Sequence, residues 1–353
     1  VSRFGWFPFT TGLISRSPLT MAGIRQILKI NSIDSASLTK PMTTQTSSPA
    51  VGLGIAFLGF AFYASHDAIT KHLGAEYSVF QIIFFAMLFA FVPMSIMMLA
   101  DRKTDNFRPA HPFLVLSRSA LSIVALSCGF YAFTVLPLAE VYSLLFAAPL
   151  LITVFSIPIL GEVVRLQRWA AVVVGLVGVL IVLRPGTTDL TLGHAAAVTS
   201  ACASALASVV VRKIGSAERS AVLILYPMLL SMLVMGATLP GIYRPMELTD
   251  LMLMAGLGFL SVLAQLCIIA GYRAAPAAVI APMQYSQILW ATVFGFFFFQ
   301  ERPDFYVGVG SAVIIGSGIF VVWRESRSNV SVRSPVLRAF ATRFAVAPNP
   351  PRK

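Results

Sequence analysis

Apolar residues fall in ten blocks along this chain, each about the length of a membrane-crossing helix, and the polar residues gather in short joints between them. The blocks lie near 51–70, 80–100, 113–135, 139–158, 168–184, 193–211, 220–240, 251–271, 277–299 and 304–323. Runs of roughly 20 apolar residues cross a hydrocarbon core of about 30 Å as α-helices. The third and fourth blocks are joined only by Leu136, Pro137 and Leu138, which leaves room for a tight hairpin and nothing longer. The predicted fold is an all-α integral membrane protein of ten transmembrane helices.

The pattern repeats. Pro137 and Ala139 precede Gly161-Glu162, Pro276 and Ala278 precede Gln300-Glu301, and the separation from Pro to Glu is 25 residues in both. A spacing shared to the residue points to duplication. Five crossings is an odd number, so two such halves in tandem cross a bilayer in opposite senses, the inverted-repeat layout of many secondary transporters around a central cavity. The predicted division is a basic tail at 1–50, a first repeat at 51–184, a second at 193–323 and a basic tail at 324–353.

Composition agrees: 57% of the 353 residues are hydrophobic and 11% charged, against about 25% charged in soluble domains. The net charge is +12, and twelve of the 26 Lys and Arg sit in the tails. With the amino terminus cytoplasmic, the inside loops carry Arg102, Lys103, Arg108, Arg165, Arg168, Arg212, Lys213, Arg219 and Arg273, and the outside loops only Lys71, Arg184, Arg244 and Arg302. That asymmetry follows the positive-inside rule; it puts both termini in the cytoplasm and makes basicity a topology signal, so no nucleic-acid partner is expected. Met42, just before the polar stretch Thr43 to Ser48, is an alternative start, and Arg25 and Lys29 break the apolar stretch Ile24 to Ile30, so no signal peptide is read there. Cys128, Cys202 and Cys267 lie within apolar spans and are odd in number, which disfavours disulfides. With no CxxC, no HExxH and no Walker-type loop, neither a metal, a cofactor nor intrinsic ATP hydrolysis is expected.

Ionisable residues at membrane depth are functional candidates, because an unpaired charge in hydrocarbon is costly. Asp67, sixteen residues into the first span and preceded by His66, reads as a proton or substrate-amine site, or as an interfacial carboxylate paired with Lys71 at i+4. Arg118, five residues into the third span, either holds a carboxylate or phosphate or snorkels to headgroups. At similar depth the eighth span places Gln265 and the ninth places Gln284, Tyr285 and Gln287. The amides and the flat Tyr ring suit a neutral or mixed heteroaromatic solute, with interhelical hydrogen bonding as the other reading. Glu140 and Tyr142 open the fourth span on the outer side, where they either receive substrate or, for Glu140, sit at the water line. The stripes Gly308, Ala312, Gly316 and Ala171, Gly175 read as helix packing. Pro149 and Pro158 in the fourth span and Pro282 in the ninth read as bends in equivalent helices. For Glu162 and Glu301, capping and headgroup contacts suffice.

Taken in order, Asp67-Ala-Ile-Thr-Lys71, Arg118, Gly129-Phe-Tyr-Ala132, Pro137-Leu-Ala139 and Gly161-Glu162 make one set, and Gly271-Tyr-Arg-Ala274, Pro276-Ala-Ala278, Ala281-Pro-Met-Gln-Tyr285 and Gln300-Glu301-Arg-Pro-Asp304 make a second. In this order and spacing, over about 51–325, the chain resembles the ten-helix, EamA-type branch of the drug/metabolite transporter superfamily. The resemblance implies a bacterial inner-membrane carrier with alternating access and a cavity lined mainly by the first four helices of each half. It is nearest to branches moving riboflavin or S-adenosylmethionine, although Gln284 and Gln287 stand where S-adenosylmethionine carriers tend to have Arg and Glu. The expected partners are a small organic metabolite, the lipid bilayer and a coupling proton or exchanged solute, with a homodimer allowed for. Rival readings are an exporter of amino acids or other metabolites, a channel, or a membrane enzyme with His66, Asp67 and Glu140 converging on a metal.

Overall fold

The computed structural model describes residues 49–325, except 101–107, 163, 165, 187–188, 219 and 303. Nearly all of both basic tails, Met42 and the loop cations Arg102, Lys103, Arg165 and Arg219 lie outside the described residues. The helices are α1 (Pro49–Leu73), α2 (Val79–Ala100), α3 (Pro112–Val135), α4 (Leu138–Leu145), α5 (Ala148–Leu160), α6 (Leu166–Leu183), α7 (Leu192–Ile214), α8 (Ser220–Ile242), α9 (Leu248–Ala274), α10 (Ala277–Ile280), α11 (Gln287–Phe299) and α12 (Phe305–Glu325). A 3-10 segment, Ala281–Ser286, joins α10 to α11.

Among the described residues nine spans are long and apolar enough to cross a membrane as helix, with α4 and α5 counted together as one. The ninth predicted span, 277–299, is missing from that count because it is interrupted. Pro282 lies in the 3-10 segment, where its missing N–H cannot continue an α-helical ladder. The fourth span breaks in the same way at Phe146-Ala147, just ahead of Pro149, but its backbone donors stay paired: Phe146 N–H reaches the Tyr142 carbonyl at 2.9 Å and Ala147 N–H that of Leu144 at 3.1 Å. The broken spans therefore hold equivalent places in the two halves, as Pro149 and Pro282 led one to expect, whereas Pro158 lies inside α5 without interrupting it.

The principal contacts between the halves are preserved when α1 is exchanged with α7, α2 with α8, α3 with α9, α5 with α11 and α6 with α12. Thus α1 on α9 answers α3 on α7, α2 on α9 answers α3 on α8, and α5 on α7 answers α11 on α1. The repeated glycines explain the tightest of these. A Cβ on Gly52 would stand 2.9 Å from the Ala275 Cβ, and one on Gly193 would stand 2.8 Å from the Leu136 Cγ. Ala275 and Leu136 each precede a proline, which holds them extended and turns the chain sharply into the next span.

The Glu residues expected only to cap span ends do more. Gly161 and Gln300 both take a left-handed backbone, with φ of 67° and 55°, and turn the chain back so that the Glu162 N–H reaches the Ser156 carbonyl at 3.5 Å and the Glu301 N–H that of Gly295 at 2.9 Å. Glycine takes this conformation freely, whereas Gln300 does so at a cost of about 1–2 kcal/mol. Glu301 then binds Lys71 Nζ at 2.8 Å and accepts the Leu138 backbone N–H at 2.9 Å, and Glu162 pairs with Arg212. Lys71 lies in the last turn of α1 and Arg212 in the last turn of α7. Because five crossings separate those helices, the two ion pairs are counterparts at opposite faces of the bundle.

One packing expectation is corrected. Ala171 and Gly175 do face the interior, but Gly308, Ala312 and Gly316 are exposed. The face of α12 that meets α6 instead carries Gly310, Ile314 and Ser317: a Cβ on Gly178 would lie 2.9 Å from the Gly310 carbonyl oxygen, and one on Gly310 would lie 2.7 Å from that of Gly178. Glycines two residues apart face different sides of a helix, and small-residue spacing alone cannot say which side has a neighbour.

Gly178→Leu and Gly310→Leu should therefore each destabilise the protein by about 1–3 kcal/mol, while Gly308→Leu shifts it by less than about 0.5 kcal/mol; thermal unfolding in detergent micelles reads all three. In the same assay, Lys71→Ala and Glu301→Gln should each cost about 2 kcal/mol, and the double variant should cost less than their sum because both remove one interaction.

Candidate functional site

A cavity of about 250 Å³ lies between the halves, and every residue lining it comes from the first four spans of one half or the other. Its volume lies just below the range usual for small-molecule sites, roughly 300–1,000 Å³. Toward the face where α1 ends it stops at His66, Asp67 and Tyr142. In the other direction it runs on to Val211 near the end of α7 and Leu223 near the start of α8. The cavity thus ends about two helical turns short of the face where α1 ends, its shut end, and reaches within about one turn of the opposite face, its open end.

The shut end is polar and satisfied. Tyr63, His66 and Asp67 recur at i, i+3 and i+4 and so share a face of α1, and all three line the cavity. Asp67, 2% exposed, accepts from His66 Nδ1 at 2.9 Å and from the Tyr142 hydroxyl of α4. Lys71, the alternative partner weighed for Asp67, is engaged by Glu301 one turn further along α1. The carboxylate thus faces inward among hydrogen-bond donors, with the Lys71–Glu301 pair closing the bundle behind it. Glu140 does not join this group; it binds His194 Nε2 of α7 at 2.9 Å, and His194 Nδ1 accepts the Thr191 backbone N–H at 3.0 Å.

Arg118 is 7% exposed and lines the cavity near the open end. It therefore turns inward and does not snorkel. One guanidinium nitrogen donates to the Leu223 carbonyl, while Nε has no acceptor among the described residues. Gln265 accepts the Tyr63 hydroxyl at 3.0 Å, so it takes part in an interhelical bond and lines the cavity as well; its amide nitrogen has no partner among the described residues.

Gln284 and Gln287 both line the cavity, but Tyr285 does not. With three residues per turn, a 3-10 segment brings i and i+3 to one edge and sends i+1 elsewhere. Tyr285 accordingly packs edge-on against Phe146, with ring centroids 5.0 Å apart, and its hydroxyl lies over Gly318, where a Cβ would come within 1.9 Å. The expected role of its ring in the lining is thereby corrected: it braces the fourth span and α12 from behind the wall.

Several lining residues were not singled out from the sequence. Ser200, Ser204 and Ser208 recur every fourth residue along α7 and put a strip of hydroxyls on the wall. Ser200 and Ser208 donate to the backbone carbonyls of Ala125 and Ser204 at 2.7 and 2.8 Å. The i, i+4, i+8 spacing was a readable signal; what it lacked was any sign that this face of α7 met a cavity and not lipid. Met87, Met94 and Met228 add adaptable apolar surface opposite.

Proteins with related sequences include transporters and an exporter of small metabolites. The S-adenosylmethionine uptake transporter of Rickettsia bellii is 22% identical over 279 residues, 79% of this chain and 96% of that protein. The riboflavin transporter of Vibrio cholerae is 27% identical over 216 residues, covering 61% and 72% of the respective chains, and the pseudopaline exporter CntI of Pseudomonas aeruginosa is 24% identical over 277, covering 77% and 93%. In three dimensions, a protein of solved crystal structure shares the fold, with a TM-score of 0.53 and 18% identity over 80% of this chain and all of its own. The model of the EamA-like transporter family matches twice, at residues 50–184 and 191–323. Each match takes in one half of the helical bundle, and the chain belongs to the EamA-like transporter family.

Proposed function

We propose that this protein is a secondary transporter that moves a small organic metabolite by alternating access, rocking its two five-helix halves about the cavity, with riboflavin and S-adenosylmethionine as the first substrates to test. The observation that carries the reading is the cavity itself: it lies where the halves meet, is built from equivalent spans of both, and is deep at one face while shut at the other. Broken helices at membrane depth are tolerated where they line a cavity, and both broken spans do so here. Gln284, Gln287, Gln265 and the α7 hydroxyls would hold the solute, Tyr142 would contact it at the shut end, and Asp67 with His66 would carry a coupling proton.

The charge pattern of the loops supports a bacterial inner-membrane protein with both termini cytoplasmic. In that orientation the open end of the cavity faces the cytoplasm. The relatives' names support import and export alike, uptake of S-adenosylmethionine on one side and export of pseudopaline on the other, so direction is read in the assay.

Proteoliposomes loaded with unlabelled riboflavin or S-adenosylmethionine should take up the labelled solute by saturable counterflow, and Gln287→Ala should raise the half-saturating concentration about tenfold, the worth of one or two lost hydrogen bonds. Flux that neither saturates nor responds to internal solute would mean a channel. Asp67→Asn should keep counterflow but lose accumulation driven by a pH gradient; if gradient-driven accumulation survives in this variant, Asp67 carries no coupling proton.

A further inference from the structure

The charges on the cavity wall do not balance locally. Among the described residues lining it, Asp67 is the one carboxylate; it is already held by His66 and Tyr142 at the shut end. Arg118 stands at the other end. The two lie near opposite ends of helices that run the same way, on the order of 15–20 Å apart along the bundle by the helical rise. Arg118 spends one donor on the Leu223 carbonyl out of the five a guanidinium carries, and its Nε is buried without an acceptor. A buried cation without a carboxylate beside it is costly in a bilayer, and the unmet group of Arg118 is a donor, so what the cavity lacks beside it is an acceptor that carries negative charge.

We propose that Arg118 is the anion-recognising end of the cavity and that the transported solute bears a carboxylate or phosphate which docks there. The proposal rests on the carrier reading above and narrows its substrate class: the amides of Gln284 and Gln287 take the neutral body of the solute, and the guanidinium takes its anionic group. A planar fork of donors suits either oxyanion.

The test is thermal unfolding of the full chain in detergent with sodium acetate, sodium phosphate or sodium chloride at matched ionic strength, and with acetamide as the uncharged counterpart of acetate. Acetate or phosphate should raise the unfolding midpoint above that in chloride, at a half-effective concentration at least about tenfold below that of acetamide, and whichever anion acts more strongly names the group. Arg118→Gln should lose the response, and in chloride it should unfold no earlier than the native chain, because it removes an unbalanced buried charge; a bracket holding α8 through Leu223 would instead leave this variant less stable. Arg118→Lys should keep part of the response. If acetate, phosphate and acetamide act alike on the native chain, or if the anion response survives Arg118→Gln, the proposal is wrong. Counterflow decides the carrier reading separately: transport without an anion response would overturn this proposal alone, and an anion response without counterflow would keep the anion site at Arg118 while overturning its part in moving riboflavin or S-adenosylmethionine.

Discussion

Two carboxylates hold the architecture together. Glu301 and Glu162 each follow a left-handed residue that ends a broken span, and each is thereby aimed at a cation in the last turn of a helix from the other half, Lys71 of α1 and Arg212 of α7. The pairs sit at opposite faces, where helix ends would otherwise be free to splay. Between them the halves cross through the close approaches of Gly52 on Ala275 and Gly193 on Leu136. A charge pair shielded from water needs a well-made geometry to offset its desolvation, and the turn at Gly161 or Gln300 supplies it.

The broken spans follow from the solvent. In hydrocarbon every backbone donor and acceptor must be paired, so an interrupted helix belongs inside the bundle. Both interruptions meet that condition, beside the cavity and at equivalent places, one ahead of Pro149 and one around Pro282. The second uses a 3-10 segment, and its tighter turn sets Gln284 and Gln287 on the cavity edge while Tyr285 is withdrawn to brace α12. Backbone geometry at one proline thus determines which of three neighbouring polar side chains line the cavity.

Much of the site was legible in the sequence because polar groups in an apolar span need a partner or a cavity. His66, Asp67, Arg118, Tyr142, Gln265, Gln284 and Gln287 stand out by that rule, and they share one cavity. Ser200, Ser204 and Ser208 were passed over because a hydroxyl can satisfy itself on its own helix and so advertises less. Glu162 and Glu301 were visible as repeated residues, but their partners lie 50 and 230 positions away in the chain.

By itself the sequence determined the number and places of the apolar spans and the duplication behind them, since each is a property of a short stretch meeting lipid or of spacing along the chain. Only the tertiary structure decided which helix faces meet. It put Gly310 and not Gly308 on the α6 seam, gave Lys71 to Glu301, and left Arg118 without a carboxylate at the open end of the cavity. A helix buries one side of itself at a time, and which side is decided by neighbours that no local pattern contains.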